Sequence, residues 1–557
     1  MSLLSRIFAR RMRLVKPRTL DVACLRDLAV PMDDGAILLA DRWVARDQAA
    51  IGGARPTVLV RSPYGRRQLV GLLFGRLLAE RGLQVVIQSV RGTFGSDGDF
   101  SPFDERADGL ATLRWMRDQP WHAGPVGTIG PSYLGLVQWA LAADAGDDLK
   151  AMSIQVSASQ FHGQTYPEGS LSLETAISWM VLIATQERRL APLAIGRALR
   201  ALPEVIAQLP VSDLDERAAG APLAWFREGF DSPAVDDDYW VRRDYSVTVP
   251  RVTAPVQFVG GWYDILLPWM LQDYAALRAA GHEPQLLIGP WTHTAPGLAA
   301  AGQRDGIAWL RAHLLGDDRL VRRSSVRVMV TGADGGWRDL PEWPPSNVGE
   351  LRLHVGPAAS LTLDGPSPQA GSDGYRYDPA DPTPSLGGPV LLARHAVVDN
   401  APLEARADVL AFTGPELSEP LEAIGEVWAE LWLAASEPYF DVFARVCDVD
   451  AGGVSRNVCD ALTTVAPGRH ERTADGSWRV RLALWPTAHR FAAGHRIRLL
   501  VCSGAHPRYA RNPGTGGDLV TATADSLVAV EVRLLHGPAH PSAVVLPATA
   551  PGLGPRR

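Results

Sequence analysis

The chain has 557 residues, a formal net charge of −6, 46% hydrophobic residues and 21% charged residues. That length is too great for one ordinary core and suggests two or three domains, and the composition is that of a soluble globular protein. The small net charge excludes a chain built to hold a polyanion, so no nucleic-acid partner is expected.

Residues 1–20 are basic, with Arg6, Arg10, Arg11, Arg13, Lys16 and Arg18 interleaved with apolar side chains. No apolar run there is long enough for a secretory signal. A helix lying on a membrane is one reading, but a basic, frayed tail is preferred. No later segment reaches the roughly 18 to 20 uninterrupted apolar residues that a membrane span needs, so no membrane partner and a cytoplasmic location are expected.

Residues 21–147 read as the first part of an α/β domain. The run Thr57-Val58-Leu59-Val60 is a buried strand that leads into Ser62-Pro63-Tyr64-Gly65. A second short strand, Val126 to Ile129, ends at Gly130-Pro131-Ser132-Tyr133-Leu134-Gly135, and the apolar stretch from Tyr133 to Ala143 favours a helix. Strand, sharp turn and helix around a Gly-x-Ser form the arrangement that raises a serine hydroxyl above a sheet. The usual G-x-S-x-G spacing is not kept, because Leu134 stands where the second glycine belongs and Gly135 follows it.

Residues 148–247 read as a helical insertion. Leu173 to Leu209 is helix-forming, interrupted at Pro192 and Pro203, with Trp179, Met180, Ile183, Ala184 and Leu190 at helical spacing. The α/β pattern resumes over 248–322. Val256 to Val259 precedes Gly261-Trp262-Tyr263-Asp264, and Gln285 to Ile288 precedes Gly289-Pro290-Trp291-Thr292-His293. Residues 323–557 then alternate apolar and polar side chains, as in Val427 to Leu433 and Trp478 to Leu484, with Gly and Pro turns between, which predicts a β-sandwich. Cys24, Cys447, Cys459 and Cys502 lack metal-site spacing and read as reduced core thiols, so no metal and no cofactor are expected. Exposed sheet edges in the terminal domain leave a homodimer open.

Three loops at strand carboxyl ends thus carry a serine, an aspartate and a histidine in that order. A serine hydroxyl needs a base to take its proton, and the base needs an acid to hold its tautomer. Ser132, His293 and Asp264 fit those roles. The Tyr133 N–H at the start of the helix can meet a developing oxyanion, and Tyr64 on the neighbouring loop is the second candidate donor.

These segments, with Val86-Ile87-Gln88, Arg91-Gly92, Gly95-Ser96-Asp97-Gly98, Trp121 and Gln138-Trp139, resemble the CocE/NonD hydrolase family. Near the end of the chain, Gly494 to Leu499, Pro507-Arg508-Tyr509, Arg511-Asn512-Pro513 and Thr515-Gly516-Gly517 resemble its terminal β-domain. The likeness runs from about Leu28 to Leu534 and departs mainly at Pro131. The resemblance implies an α/β-hydrolase domain with a helical cap over the serine, a C-terminal jelly roll, and Tyr64 as the oxyanion tyrosine. By position it makes Tyr166, Trp179 and Leu266 candidates to line the acyl pocket. It implies hydrolysis of a small-molecule ester through a covalent acyl-enzyme. An amide-cleaving acylase or X-Pro dipeptidyl-peptidase with the same triad is the alternative, and a catalytically silent binding protein is the alternative of another class. Glu168 and Glu174 are the only acidic residues of the early cap, thin support for a substrate ammonium, so an apolar acyl group is favoured.

Overall fold

The computed structural model describes residues 2–47, 54–392 and 395–549. The backbone divides into two compact units, the first comprising Met1–His162, Leu182–Ile195 and Leu223–Ser325, and the second Gly163–Val181, Gly196–Pro222 and Val326–Arg557.

The first unit is built on eight strands: β1 (Val22–Pro31), β2 (Ile37–Ala45), β3 (Arg55–Ser62), β4 (Gln84–Ser89), β5 (His122–Pro131), β6 (Leu149–Gln155), β7 (Val256–Tyr263) and β8 (Gln285–Thr292). Their order across the sheet is 1-2-4-3-5-6-7-8. The β1–β2 and β2–β4 pairs are antiparallel, and every pair from β4 to β8 is parallel. Parallel strands are covered on both faces and so read as continuous apolar runs rather than alternating ones. Val58-Leu59-Val60, Val85-Val86-Ile87, Phe258-Val259 and Leu286-Leu287-Ile288 are accordingly no more than 3% exposed.

Two helices set the serine in this sheet. The helix that follows β5, Tyr133–Ala142, is buried along its whole length. The long helix Pro296–Leu315 packs on β5 and β6, where Leu310 and Leu314 fill the space that Gly127 leaves on β5.

Two expectations need correction. The segment read as a frayed tail forms the helix Ser2–Arg11, fastened through the buried Ser5, whose hydroxyl donates to Glu80 at 2.7 Å. The helical insertion cannot start at residue 148, because Leu149–Gln155 is the strand between β5 and β7. Lys150, Ser153 and Gln155 break its apolar run and hide it from a pattern reading. The helices Leu173–Thr185 and Ala191–Ile206 follow, the second carrying Pro203 inside it.

The second unit contains the antiparallel jelly-roll sandwich. Its longest pair joins Leu421–Ala435 to Trp478–Phe491, with Val427 opposite Leu484 and Leu431 opposite Val480. Phe440–Val449 pairs with Ser455–Val465 on one side and Arg496–Cys502 on the other. The alternation expected along Val427 to Leu433 is present, since Val427, Ala429, Leu431 and Leu433 are fully buried while the residues between them are partly exposed. Burying each such Val or Leu is worth about 1.5–3 kcal/mol. The four cysteines are free thiols.

Candidate active site

Ser132 stands at the junction of β5 and the helix that follows, with φ 56° and ψ −125°. A non-glycine residue there is strained, and such strain persists only where the surroundings over-determine it. The surroundings are specific. The Ser132 N–H donates to the Gln155 carbonyl at 2.9 Å, and the Ser132 carbonyl accepts from the Gly135 N–H at 2.7 Å and from the Ser157 hydroxyl at 2.6 Å. Ser157 is aimed by a second strained residue, the β-branched Val156, at φ 39°.

The glycine spacing now has a cause. A Cβ on Gly130 would lie 2.4 Å from Cβ of Leu134, and one on Gly135 would lie 2.3 Å from Cβ of Ser157. The turn is tight at Gly130, and Gly135 is bare so that Ser157 can reach the turn. Leu134 tolerates the site of the usual second glycine because the close approach falls one residue later.

Asp264 and His293 follow β7 and β8, on the sheet edge that also carries Ser132 after β5 and Tyr64 after β3. Nδ1 of His293 lies 2.6 Å from Oδ2 of Asp264, and the Asp264 side chain is only 1% exposed. The other carboxylate oxygen accepts from the Leu266 N–H at 2.9 Å. A carboxylate only accepts, so Nδ1 carries a proton, and in the neutral imidazole the lone pair is left on Nε2. The histidine is thereby oriented with its basic nitrogen away from the acid. No hydrogen bond joins the Ser132 hydroxyl to His293 among the described residues; in serine hydrolases that bond often tightens only with substrate in place.

The structure therefore brings Asp264 and His293 into contact and sets Ser132 and Tyr64 on their edge of the sheet. Leu266 is fully buried, and its backbone does what its side chain was not expected to do: it holds the acid. Tyr166 is buried and Trp179 half-buried on the helix Leu173–Thr185. Tyr64 is half-buried, its N–H bonded to the Ser62 hydroxyl at 3.0 Å, and its loop is pinned by Gln186, which donates to the Pro63 carbonyl at 2.8 Å. Beside it lies a cavity of about 460 Å³ lined by Tyr64, Gly65, Phe94, Gln186, Pro192 and Ile195.

A buried charge network under the candidate oxyanion donors was not foreseen. The Tyr133 hydroxyl donates to Glu105 at 2.6 Å and accepts from the Phe103 N–H at 2.9 Å. Glu105 forms an ion pair with Arg61 at 2.9 Å, and both side chains are almost fully buried. Burial pushes the Glu105 carboxyl above its ordinary value, opposed by the Arg61 guanidinium and the Tyr133 hydroxyl, which favour its charged form. Arg61 lies on β3, three residues before Tyr64, so one network braces the strand that carries one candidate donor and the side chain of the other. The sequence did hold a signal: an arginine closing an apolar strand must find a buried partner.

Comparison with known proteins agrees with this architecture. Residues 34–295 match the family described as X-Pro dipeptidyl-peptidase (S15 family), and residues 321–545 match the X-Pro dipeptidyl-peptidase C-terminal non-catalytic domain. The chain is 31% identical to the cocaine esterase of Rhodococcus sp. (strain MB1 Bresler), over 94% of this chain and 98% of the relative. In fold it is similar to a solved α-amino acid ester hydrolase, with a TM-score of 0.80 and 21% identity over 96% of this chain and 98% of that one. It is also similar to a CocE/NonD family hydrolase from Staphylococcus aureus, with a TM-score of 0.69 and 16% identity over 95% of this chain and 94% of that one.

Proposed function

The chain belongs to the CocE/NonD hydrolase family and is a serine ester hydrolase, and from that premise we propose that Ser132, His293 and Asp264 carry the reaction. Nε2 of His293 takes the hydroxyl proton as Ser132 Oγ bonds to the ester carbonyl carbon. The carbonyl oxygen becomes an oxyanion, met by the Tyr133 N–H and the Tyr64 hydroxyl. As the intermediate collapses, the bond to the leaving oxygen breaks and the imidazolium returns its proton to the departing alcohol. Water, deprotonated by the same nitrogen, then attacks the acyl-enzyme and releases the acid and Ser132. The observation that carries this reading is the 2.6 Å contact from His293 Nδ1 to Asp264, set on the sheet edge that ends in a strained serine.

The acyl group proposed is apolar. In support, Glu174 is spent within its own unit: its carboxylate accepts from the Ser178 hydroxyl at 3.0 Å and from the Leu391 N–H at 3.2 Å. A buried substrate ammonium would need a carboxylate left over for it. An amide or X-Pro peptide substrate is the second reading, favoured by the match to the S15 peptidase family. A cytoplasmic setting accords with four thiols that stay unpaired.

The test is labelling with a fluorophosphonate, followed by a panel of p-nitrophenyl acyl esters, acyl-amides and dipeptidyl-proline anilides. Stoichiometric labelling that Ser132→Ala abolishes, with turnover of the apolar esters, is expected. Failure to label at all would leave a binding protein on a hydrolase scaffold, and preferential cleavage of the anilides would replace esterase with peptidase.

A further inference from the structure

The helix Ser2–Arg11 uses two opposite faces. At 3.6 residues per turn, Ser5, Phe8, Ala9 and Met12 share one side. Ser5 and Met12 on that side are buried, and Phe8 and Ala9 are half-buried. Beyond the helix the chain stays attached, since Leu14 and Val15 pack on the core beneath the sheet and the Arg81 side chain donates to the Val15 carbonyl at 2.9 Å. The helix is therefore anchored both by its packed face and by the segment that follows it.

The opposite face is open. Leu3, Leu4 and Ile7 are 69%, 51% and 40% exposed, and the helical period gathers them into one narrow stripe. Arg6 and Arg10 border one side of that stripe, and Arg11 lies on it between Ile7 and Leu4. Arg13 and Lys16 extend the positive charge just past the helix, and all five cations are exposed. No ion pair engages any of the five among the described residues, and the first acidic residue of the chain is Asp21.

From this face we infer that the protein docks on an anionic lipid surface through its N-terminal helix. An aliphatic stripe bordered on one side by arginines and carrying a further one, Arg11, whose long side chain can reach outward, on a helix packed against its domain, matches the boundary between acyl chains and anionic headgroups. Leu3, Leu4 and Ile7 enter the acyl boundary while the guanidiniums stay at headgroup level. Two features set this occupant above the alternatives. A second copy of the chain would bring five cations against five cations, and three aliphatic side chains supply little of the roughly 800 Å² per partner that a stable interface needs. Nucleic acid would use the arginines and leave the aliphatic stripe wet. The inference is independent of the hydrolytic reading, and it turns the basic segment from an idle tail into an address. No described helix is long and apolar enough to cross a membrane, so docking is peripheral.

The test is flotation of the full chain with vesicles of phosphatidylcholine alone and of phosphatidylcholine mixed equally with phosphatidylglycerol. The expected result is binding to the mixed vesicles only, weakened by added salt. The variant Leu3→Ser/Leu4→Ser/Ile7→Ser and the variant Arg6→Gln/Arg10→Gln/Arg11→Gln should each bind about tenfold more weakly, with wild-type hydrolysis of a soluble ester. Absence of binding to the mixed vesicles would overturn the inference. So would equal binding to duplex DNA, or a dimer in light scattering that the serine variant dissolves.

Discussion

The hydroxyl of Tyr133 sits 2.6 Å from the carboxylate of Glu105, so the residue that follows the candidate nucleophile is anchored by its side chain to a buried charge. Its backbone N–H, the proposed oxyanion donor, inherits that anchorage. Glu105→Gln breaks a buried ion pair with Arg61 and should cost about 3–5 kcal/mol of stability. Tyr133→Phe removes two hydrogen bonds and should cost about 1–3 kcal/mol. If the network positions the oxyanion donor, both variants also lower kcat with little change in KM. Melting curves and steady-state kinetics on one apolar ester check this; a destabilised Tyr133→Phe enzyme with wild-type kcat would make the network purely structural.

The contact between Gly135 and Ser157 predicts a suppressor. Gly135→Ala forces a Cβ to within 2.3 Å of Cβ of Ser157 and should displace the turn that holds Ser132, with loss of fluorophosphonate labelling. Adding Ser157→Gly removes the obstructing atom along with the hydroxyl bonded to the Ser132 carbonyl. The double variant should regain labelling in part, a coupling that two independent defects would not give.

In the proposed reaction Tyr64 and Asp264 serve different points of the same step. Removing one oxyanion donor typically lowers turnover by about 10² to 10³, so Tyr64→Phe should fall in that range. Asp264→Asn leaves the shape unchanged but offers His293 an amide that can donate, which favours the wrong tautomer and should cost about 10⁴. Unchanged kcat in Tyr64→Phe would remove that hydroxyl from the site.

Two buried carboxyls tie stability to pH. Burial pushes both Asp273, bonded to the Ser159 hydroxyl and N–H, and Asp441, bonded to Thr464 and Asn512, up to about 7. Each has a folded value above its unfolded one, so its contribution is fully present below about pH 4 and is lost as pH rises through about 7. The melting temperature contributed by these sites should therefore fall between those limits. Asp273→Asn and Asp441→Asn should flatten the profile; a wild-type profile in the double variant would show that other groups control it.

Much of the site was legible because its signals are local. Strands Val256 to Val259 and Gln285 to Ile288 are apolar runs closed by glycine, Thr57 to Val60 is an apolar run that leads through Arg61 and Ser62 to a proline turn, and the residues after them are the candidates for the chemistry. What stayed hidden depends on contacts distant in sequence. Arg61 meets the backbone of Glu105 across 44 residues, and Ser157 reaches Ser132 across 25. No pattern in a short window marks either pair. Leu149–Gln155 is masked by its polar residues: Lys150 stays exposed, while Ser153 and Gln155 are buried between two neighbouring strands with partners, Ser153 donating to Gln257 and Gln155 to the Gly302 carbonyl. The N-terminal helix was missed because its packing face is short and its cations suggest a tail.

Passage of the acyl group through Ser132 is tested most directly by rapid mixing with a p-nitrophenyl ester. A burst of nitrophenolate equal to the enzyme present, with the acyl mass mapped to the peptide bearing Ser132, is the predicted result. A Ser132→Ala enzyme that keeps wild-type turnover, or an acyl group mapped to another residue, would contradict it.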